Sequence, residues 1–422
     1  GNKNRLREQD IHKIVATFQS MDESDPKYAR FVPNREIKDV NEYNLNISRY
    51  IDSSEPEEIQ DISAHLNGGI PAADIDRMEP YWKVFPSLKA VLFRPLKGKY
   101  YIPQVKKADI VKVITLHEEF LQHAKLVEDA YWNWKNEVKP ILMDLTDAKP
   151  PKVLIEHISQ KLLNYFSGVP LLDKYEVYQV LMDYWAETMQ DDVYVVCYDG
   201  YVAGRAISYD YVTKKKKENG QTVVVRTGKV KGYEGKLIPK GLLEAHYFGL
   251  EVKAMDLLRG KCGGITKRLS ELVEENSGEN GVFFELDSLK RQTAATRIKL
   301  IKNDPSAKGE LDILKEYVGL LDQEANVKIE LRRSEKALDE KLQEKYPLLP
   351  IDEIKQLLVE EKWFASIYDG INRIHSAVSH RLSRRLAELM ERYEFTLQEC
   401  QDEVAGYEAK VKSHLERMGF LW

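Results

Sequence analysis

The 422-residue chain carries 63 Lys and Arg against 68 Asp and Glu, for a net charge of −5; 31% of its residues are charged and 43% hydrophobic. This balance suits a globular, helix-rich protein of two or three domains with a sizeable core, and excludes a nucleic-acid binder recognisable by overall charge, so that any such site must be a local patch. Cys197, Cys262 and Cys400 lie far apart with no CxxC pair, and no window approaches eighteen consecutive apolar residues. A disulfide framework, structural zinc and a membrane span are thereby argued against, and the charged first ten residues do not read as a signal peptide; the expectation is a cytoplasmic protein.

Arg7 to Met21 reads as an amphipathic helix with Ile11, Ile14, Val15 and Phe18 on one face. Two strand-like segments follow. Tyr28 to Pro33 is closed by a proline, and Tyr43 to Asp52 alternates Tyr43, Leu45 and Ile47 with Asn44, Asn46 and Ser48. Ser54-Glu55-Pro56-Glu57 opens a short helix, Gly68-Gly69-Ile70-Pro71 is a turn, and Tyr81, Trp82, Phe85 and Val91 to Phe93 supply core material. One or two long helices are expected over Ala108 to Leu145, then helices over Lys152 to Phe166 and Lys174 to Met189. The β-branched run Val193 to Tyr198 reads as a strand, and a hairpin is expected around Asn219-Gly220. Leu242 to Val273 is helical with interruptions at Gly260 and Gly263-Gly264, and Glu310 to Lys345 is a charged helix ended by Pro347 and Pro350.

The strongest pattern is C-terminal. Ile371, Ile374, Val378, Leu382, Leu386, Leu389 and Tyr393, then Leu397, Cys400, Val404, Tyr407, Val411, Leu415 and Met418, recur every three or four residues. Thr396-Leu397-Gln398-Glu399 has the form of a capping box, so a new helix is expected at Leu397 and the two helices are expected to fold back on each other. Burying each large side chain is worth about 1.5–3 kcal/mol, so such a stripe is expected to pack on itself, on the body or on a partner helix. The expected fold is mainly α with a small β component: a helical domain with a C-terminal antiparallel helical hairpin or coiled coil. The expected division is 1–53, 54–190, 191–240, 241–360 and 361–422.

Charge concentrates between Arg205 and Lys240. Arg205, Lys214, Lys215, Lys216, Lys217, Arg226, Lys229, Lys231, Lys236 and Lys240 face only Asp210, Glu218 and Glu234, with Tyr209, Tyr211 and Tyr233 interleaved. Such a hairpin suits contact with a DNA backbone, salt-sensitive and poor in base information; a solvated loop has the same composition. Metal chemistry has weaker support. His117 and His123 are six apart, about 240° round a helix rather than on one face, and His375 and His380, five apart, fail similarly. Asp183, Glu187, Asp191, Asp192 and Asp199 form an acidic cluster that reads either as a magnesium site of a nuclease or as a solvated helix end. Cys262 beside Lys261, in a Gly-flanked turn, has the setting of an activated thiol but no histidine nearby in sequence, and reads as inert.

Several blocks resemble one family. Asn4-Arg5-Leu6-Arg7-Glu8-Gln9-Asp10-Ile11 and Tyr43-Asn44-Leu45-Asn46-Ile47-Ser48-Arg49-Tyr50 resemble the end of the methylase fold in the modification (M) subunit of type I restriction-modification systems, which are DNA adenine-N6 methyltransferases. Ser48 stands where that family usually has proline. Asp173 to Gln179, Tyr184 to Asp192 and Leu237-Ile238-Pro239-Lys240 are similar to central blocks of such subunits. Arg384 to Tyr393 and His414-Leu415-Glu416-Arg417-Met418-Gly419-Phe420 are similar to their C-terminal blocks.

The resemblance implies a region that begins where the catalytic part ends. No glycine-rich turn follows a hydrophobic strand, and Pro150-Pro151 lacks the preceding Asn or Asp and the following aromatic of an adenine-methylating loop, so no cofactor and no catalytic residue is expected in this chain. In the full-length subunit the resemblance implies S-adenosylmethionine. It also implies a specificity subunit, a second M subunit, possible contact with the restriction subunit, and double-stranded DNA. Leu382, Leu386, Leu389, Tyr393, Val404, Val411, Leu415 and Met418 are then the candidate docking residues, with an internal hairpin core as the other reading. A coiled-coil adaptor without methylase connection and a magnesium-dependent nuclease are the alternatives.

Overall fold

In a computed structural model the described residues are 5–54, 59–146, 150–218, 221–278, 281–284, 286 and 288–420, with the side chains of 214–218 and 221–225 outside the description. The helix expected to open at Ser54 to Glu57 falls largely outside the described residues, as does the Asn219-Gly220 turn. The described chain is mainly α with a small β component, as expected. It divides into two compact units, Gly1–Cys197 with Trp363–Trp422, and Tyr198–Lys362.

The first unit opens with α1 (Glu8–Ser20). The helix is where the pattern put it, but its packing face is not. His12 lies against the rings of Tyr175 and Tyr178, at 5.9 and 5.0 Å, and the Gln9 amide donates to Gln179 Oε1 at 2.9 Å, while Ile11, Ile14, Val15 and Phe18 are exposed.

Neither strand-like segment forms a strand. Tyr28 to Pro33 is irregular, and Tyr43 to Asp52 holds a single 3-10 turn, Ile47–Arg49, behind Glu42 and Tyr43 in the left-handed region at φ 49° and 61°. Asn44 accounts for the change: its side-chain oxygen accepts from the Asn46 amide at 3.0 Å, an Asx turn that competes with pleating. Among the described residues no strand pairs with either segment, and Tyr43, Leu45 and Ile47 are exposed.

Short elements follow: α2 (Ile62–Asn67), β1 (Ile70–Pro71), α3 (Ala72–Asp76), α4 (Glu79–Val84), α5 (Pro86–Leu92), β2 (Phe93–Pro95) and β3 (Tyr100–Pro103). The three strands form an antiparallel sheet in the order β1-β3-β2, with Ile70 opposite Tyr101 and Arg94 opposite Ile102. The turn into β1 uses Gly68 and Gly69 at φ 81° and 94°, a conformation that side-chain-bearing residues resist.

The helical body is α6 (Ile110–Leu116), α7 (Glu118–Met143), α8 (Pro151–Phe166), α9 (Lys174–Tyr184), a π-helical turn (Trp185–Met189) and α10 (Gln190–Asp199). Val193 to Tyr198 is thus helix rather than strand. Met189, Val193 and Val196 are buried at helical spacing, whereas Tyr194 and Tyr198 are exposed. Buried indoles anchor the layers: Trp134 Nε1 donates to the Ile158 carbonyl at 2.9 Å, and Trp82 Nε1 to that of Ile75 at 2.7 Å.

In the second unit, β4 (Ile207–Glu218) and β5 (Gln221–Gly235) form the hairpin, longer than its composition suggested. Next come α11 (Lys240–Tyr247), α12 (Gly249–Glu275), α13 (Arg291–Ile301), α14 (Lys308–Lys345) and α15 (Ile351–Lys355). The expected breaks at Gly260 and Gly263-Gly264 do not occur: α12 runs through them, and Cys262 sits in the helix rather than in a turn. The pairs Glu251–Lys341, Arg259–Glu335, Thr266–Glu324 and Arg268–Glu316 show α12 and α14 lying antiparallel along an arm of about 40 Å. A small core of Leu269, Leu272, Phe283, Ala294, Leu314 and Tyr317 closes its far end.

The chain returns to the first unit as α16 (Ala365–Arg392) and α17 (Leu397–Arg417). Gly370 lets α16 approach α9: a Cβ there would stand 2.3 Å from Val180 Cγ1.

Candidate assembly and DNA-contact surfaces

The C-terminal stripe divides at Tyr393. On α16, Ile371, Val378, Leu382, Leu386 and Leu389 are between 0 and 1% exposed and Tyr393 is 7% exposed, so these are core residues of the first unit. As docking residues, Leu382, Leu386, Leu389 and Tyr393 are corrected: a face that completes a core is not free to bind. Beyond them the capping box forms as the sequence required, with Thr396 Oγ1 accepting from the Glu399 amide at 3.2 Å and Glu399 Oε2 accepting from the Thr396 amide at 2.8 Å. The Thr396 amide and hydroxyl, both donating to it, hold the Glu399 carboxyl below its usual range.

From there α17 does not fold back on α16 as expected. No residue of α17 is buried; Leu397, Cys400, Val404, Tyr407, Val411 and Met418 are exposed and Leu415 is half-buried. The stripe continues in sequence across Tyr393, but the chain turns at Glu394–Phe395 and carries its second half away from the core.

The hinge between the two halves is fixed. The Tyr393 hydroxyl donates to Asp74 Oδ2 at 2.7 Å, its ring lies 4.9 Å from that of His65, and burial, followed by the Asp74 carboxylate, raises its pKa. Asp61, which caps α2 through the Ala64 amide, also accepts from the Tyr100 hydroxyl at 3.1 Å.

On the hairpin the basic residues separate by role. Arg205 Nε donates to the Leu349 carbonyl at 2.8 Å, a structural use. Lys236 pairs with Asp199 at 2.6 Å, Lys231 with Asp210 at 3.6 Å, and Lys240 with Asp339 and with Glu244 at 3.6 Å. Arg226 and Lys229 are exposed, with no partner among the described residues. The side chains of Lys214, Lys215, Lys216 and Lys217 lie outside the described residues, although their backbone pairs with 222–225 in β5.

Two register shifts, at Asp210/Tyr211 and Tyr211/Thr213, twist the ribbon between its base and its lysine-rich end. At the base Tyr209 and Tyr233 are directly opposite, and the Tyr233 hydroxyl donates to the Asp339 carbonyl at 3.1 Å. Burial and the neighbouring Asp339 push that hydroxyl's pKa well up.

The acidic residues do not assemble into a metal centre. Asp192 accepts from Trp363 Nε1 at 2.8 Å, Asp199 is in its ion pair with Lys236, and Asp183 and Glu187 line an open cleft of about 590 Å³ with Asp369 and Arg373. Among the described residues no group of three or more His, Cys, Asp or Glu side chains is placed to hold a metal ion. His117 caps α7, its Nδ1 accepting from the Glu119 amide at 3.3 Å, and His123 points into the core. Sequence reasoning did not single out the partner of His123, which is His375, stacked on it with ring centroids 5.2 Å apart. Their separation of some 250 residues left no local signal.

Residues 1–59 match the family model described as N-6 DNA Methylase. The chain is similar to N-6 DNA methylases over that segment, which contains both N-terminal blocks, Asn4 to Ile11 and Tyr43 to Tyr50, and stops ahead of α2. Comparison with curated proteins and with solved structures gives no match. No helix among the described residues is long and apolar enough to cross a membrane.

Proposed function

We propose that this chain is the C-terminal, non-catalytic region of a DNA adenine-N6 methyltransferase subunit of the type I modification kind. In this reading it joins the methylating part to its partners and contacts the DNA backbone. The observation that carries the reading is the N-6 DNA Methylase match over residues 1–59, ahead of a long helical region whose last helix offers an uncovered apolar face. The partners are a specificity subunit and a second modification subunit, with the restriction subunit as a further one. In this reading S-adenosylmethionine belongs to the catalytic part of the full-length subunit.

Val404, Val411 and Met418 remain the docking candidates, with Leu415 at the edge, and Tyr407 joins them. Of the basic set, Arg226, Lys229 and the Lys214 to Lys217 run are the DNA-backbone candidates, because Arg205, Lys231, Lys236 and Lys240 are engaged within the unit.

Co-purification with the specificity subunit tests the reading. A cut before Trp363 would remove the core residues Leu382, Leu386 and Leu389 and unfold the first unit, so the deletion is placed after Phe395. Loss of capture on that deletion, and on Val404→Asp in the full chain, is the expected result. Undiminished capture by both would refute the docking role.

A further inference from the structure

We propose that α17 is self-complementary and pairs antiparallel with α17 of a second copy of this chain. The face is apolar and unpartnered: Leu397, Cys400, Val404, Tyr407, Val411 and Met418 recur at alternating three- and four-residue steps, with His414 completing the seam beside Leu415. A seam of this period is the one along which two helices wrap.

Charge along the helix names the occupant. The half from Leu397 to Glu408 carries Glu399, Asp402, Glu403 and Glu408 and no base; the half from Ala409 to Met418 carries Lys410, Lys412 and Arg417 against Glu416 alone. The helix dipole accounts for acid at a first turn and base at a last one, but its influence fades within a turn. Asp402, Glu403, Glu408, Lys410 and Lys412 lie in the middle turns. Lys410, Lys412 and Arg417 make no ion pair among the described residues.

A parallel partner with the same sequence would set acid beside acid and base beside base along the whole contact. An antiparallel one sets each acidic half against the other copy's basic half, in an isologous contact with its twofold near Tyr407. Cys400 then lies across from His414 of the second copy and far from the other Cys400.

This deepens the assembly reading, and rests on it only in treating α17 as an interface: it assigns the contact between two copies to α17. The specificity subunit would meet the pair rather than a single helix.

The test uses the full chain. Sedimentation over a range of concentrations should show a monomer–dimer equilibrium. K410E/K412E, which turns the basic half acidic, and D402K/E403K/E408K, which turns the acidic half basic and leaves the Glu399 cap in place, should each weaken self-association at least tenfold, while an equimolar mixture of the two should restore the dimer. Because α17 buries none of its own side chains, these changes leave both cores intact, and unchanged circular dichroism checks this. Under mild oxidation His414→Cys should cross-link to Cys400 of the other copy. A predominant Cys400–Cys400 bond would overturn the antiparallel arrangement, and failure of the mixture to recover would overturn the pairing.

A chain that stays monomeric yet captures the specificity subunit through α17 defeats the self-pairing and leaves the assembly reading standing. A dimer sensitive to these charges that captures no specificity subunit does the reverse.

Discussion

The Tyr393 hydroxyl donates to the buried Asp74 carboxylate at 2.7 Å, tying the last residue of the buried C-terminal stripe to α3, where the sequence separation is 319 residues. The bond decides where the stripe stops being core. N-terminal to it, α16 is covered by its own unit; three residues beyond it, Thr396 caps a helix with no buried side chain.

Tyr393→Phe keeps the ring against His65 and removes the donor, leaving Asp74, among the described residues, with the distant Arg77 Nη1 at 3.9 Å. Stranding a buried acceptor costs about 1–3 kcal/mol, more when it is charged. The expected outcome is a lower urea midpoint for the first unit. Hydrogen exchange should quicken in α3 and at the C-terminal end of α16 and remain unchanged in α12 and α14. Equal exchange in the variant and the parent would show that the bond does not hold the hinge.

Much of the architecture was legible because helical periodicity is written over many residues. The extents of α8 and α14 and the start of α17 follow from caps, prolines and apolar spacing, and the Thr396–Glu399 box is readable from four residues, whereas the break at His117 between α6 and α7 carries no such mark. The misses were short segments. Val193 to Tyr198 has β-branched composition but helical spacing of what it buries, and the spacing prevails. Around Tyr43 to Tyr50 an alternating pattern met two asparagines, and the Asx turn at Asn44 prevailed over the pleat. In the candidate surfaces, apolar repetition located the stripe but could not divide it, since Leu389 and Val404 differ only in what lies opposite them. That information is tertiary. Likewise no local rule assigns Arg205 to the Leu349 carbonyl rather than to a phosphate.

The approach of α16 to α9 depends on a single missing side chain. A Cβ at Gly370 would fall 2.3 Å from Val180 Cγ1, so Gly370→Ala forces the helices apart or Val180 off its rotamer. Overpacking of this kind costs about 1–3 kcal/mol. The variant should unfold at lower urea, and Val180→Ala in the same chain should recover most of the loss, because it removes the atom that clashes. Two destabilisations that simply add would show that the contact is not the cause.

His375 and His123 stack in the core of the first unit, the His123 Nε2 at 2.7 Å from the Pro170 carbonyl, with no hydrogen-bond partner for His375 Nε2 or His123 Nδ1 among the described residues. Burial, with the neighbouring His123 adding to it, pushes the His375 pKa down to about 4 from the ordinary 6.5, and burial lowers that of His123 as well. Above pH 6.5 both states of the chain hold His375 neutral and the site has no effect on stability. Below it the unfolded chain takes up a proton that the folded chain refuses, so stability falls down to about pH 4 and then levels off. The loss from His375 is on the order of 3 kcal/mol. His375→Phe, which preserves the stack on Phe120, should unfold like the parent at neutral pH and lose less stability between pH 6 and pH 4. Parallel pH profiles for the two proteins would remove the buried imidazole as the cause.

The hairpin makes a separable prediction for DNA. Arg226 and Lys229 are exposed and unpaired among the described residues, whereas Lys231 and Lys236 already face Asp210 and Asp199. Removing a phosphate contact lowers the steepness of binding against salt by about one unit per charge, whatever the base sequence. With a mixed-sequence duplex and fluorescence anisotropy at several salt concentrations, Arg226→Gln/Lys229→Gln should bind more weakly with a salt slope shallower by about two. Lys236→Gln should cost less, because its pairing with Asp199 already offsets its charge. The tenfold-weaker binding expected for a K214Q/K215Q/K216Q/K217Q chain would place the lysine-rich end of the ribbon on the duplex. Unchanged salt slopes in both multiple variants would assign the hairpin's charge to solvation alone.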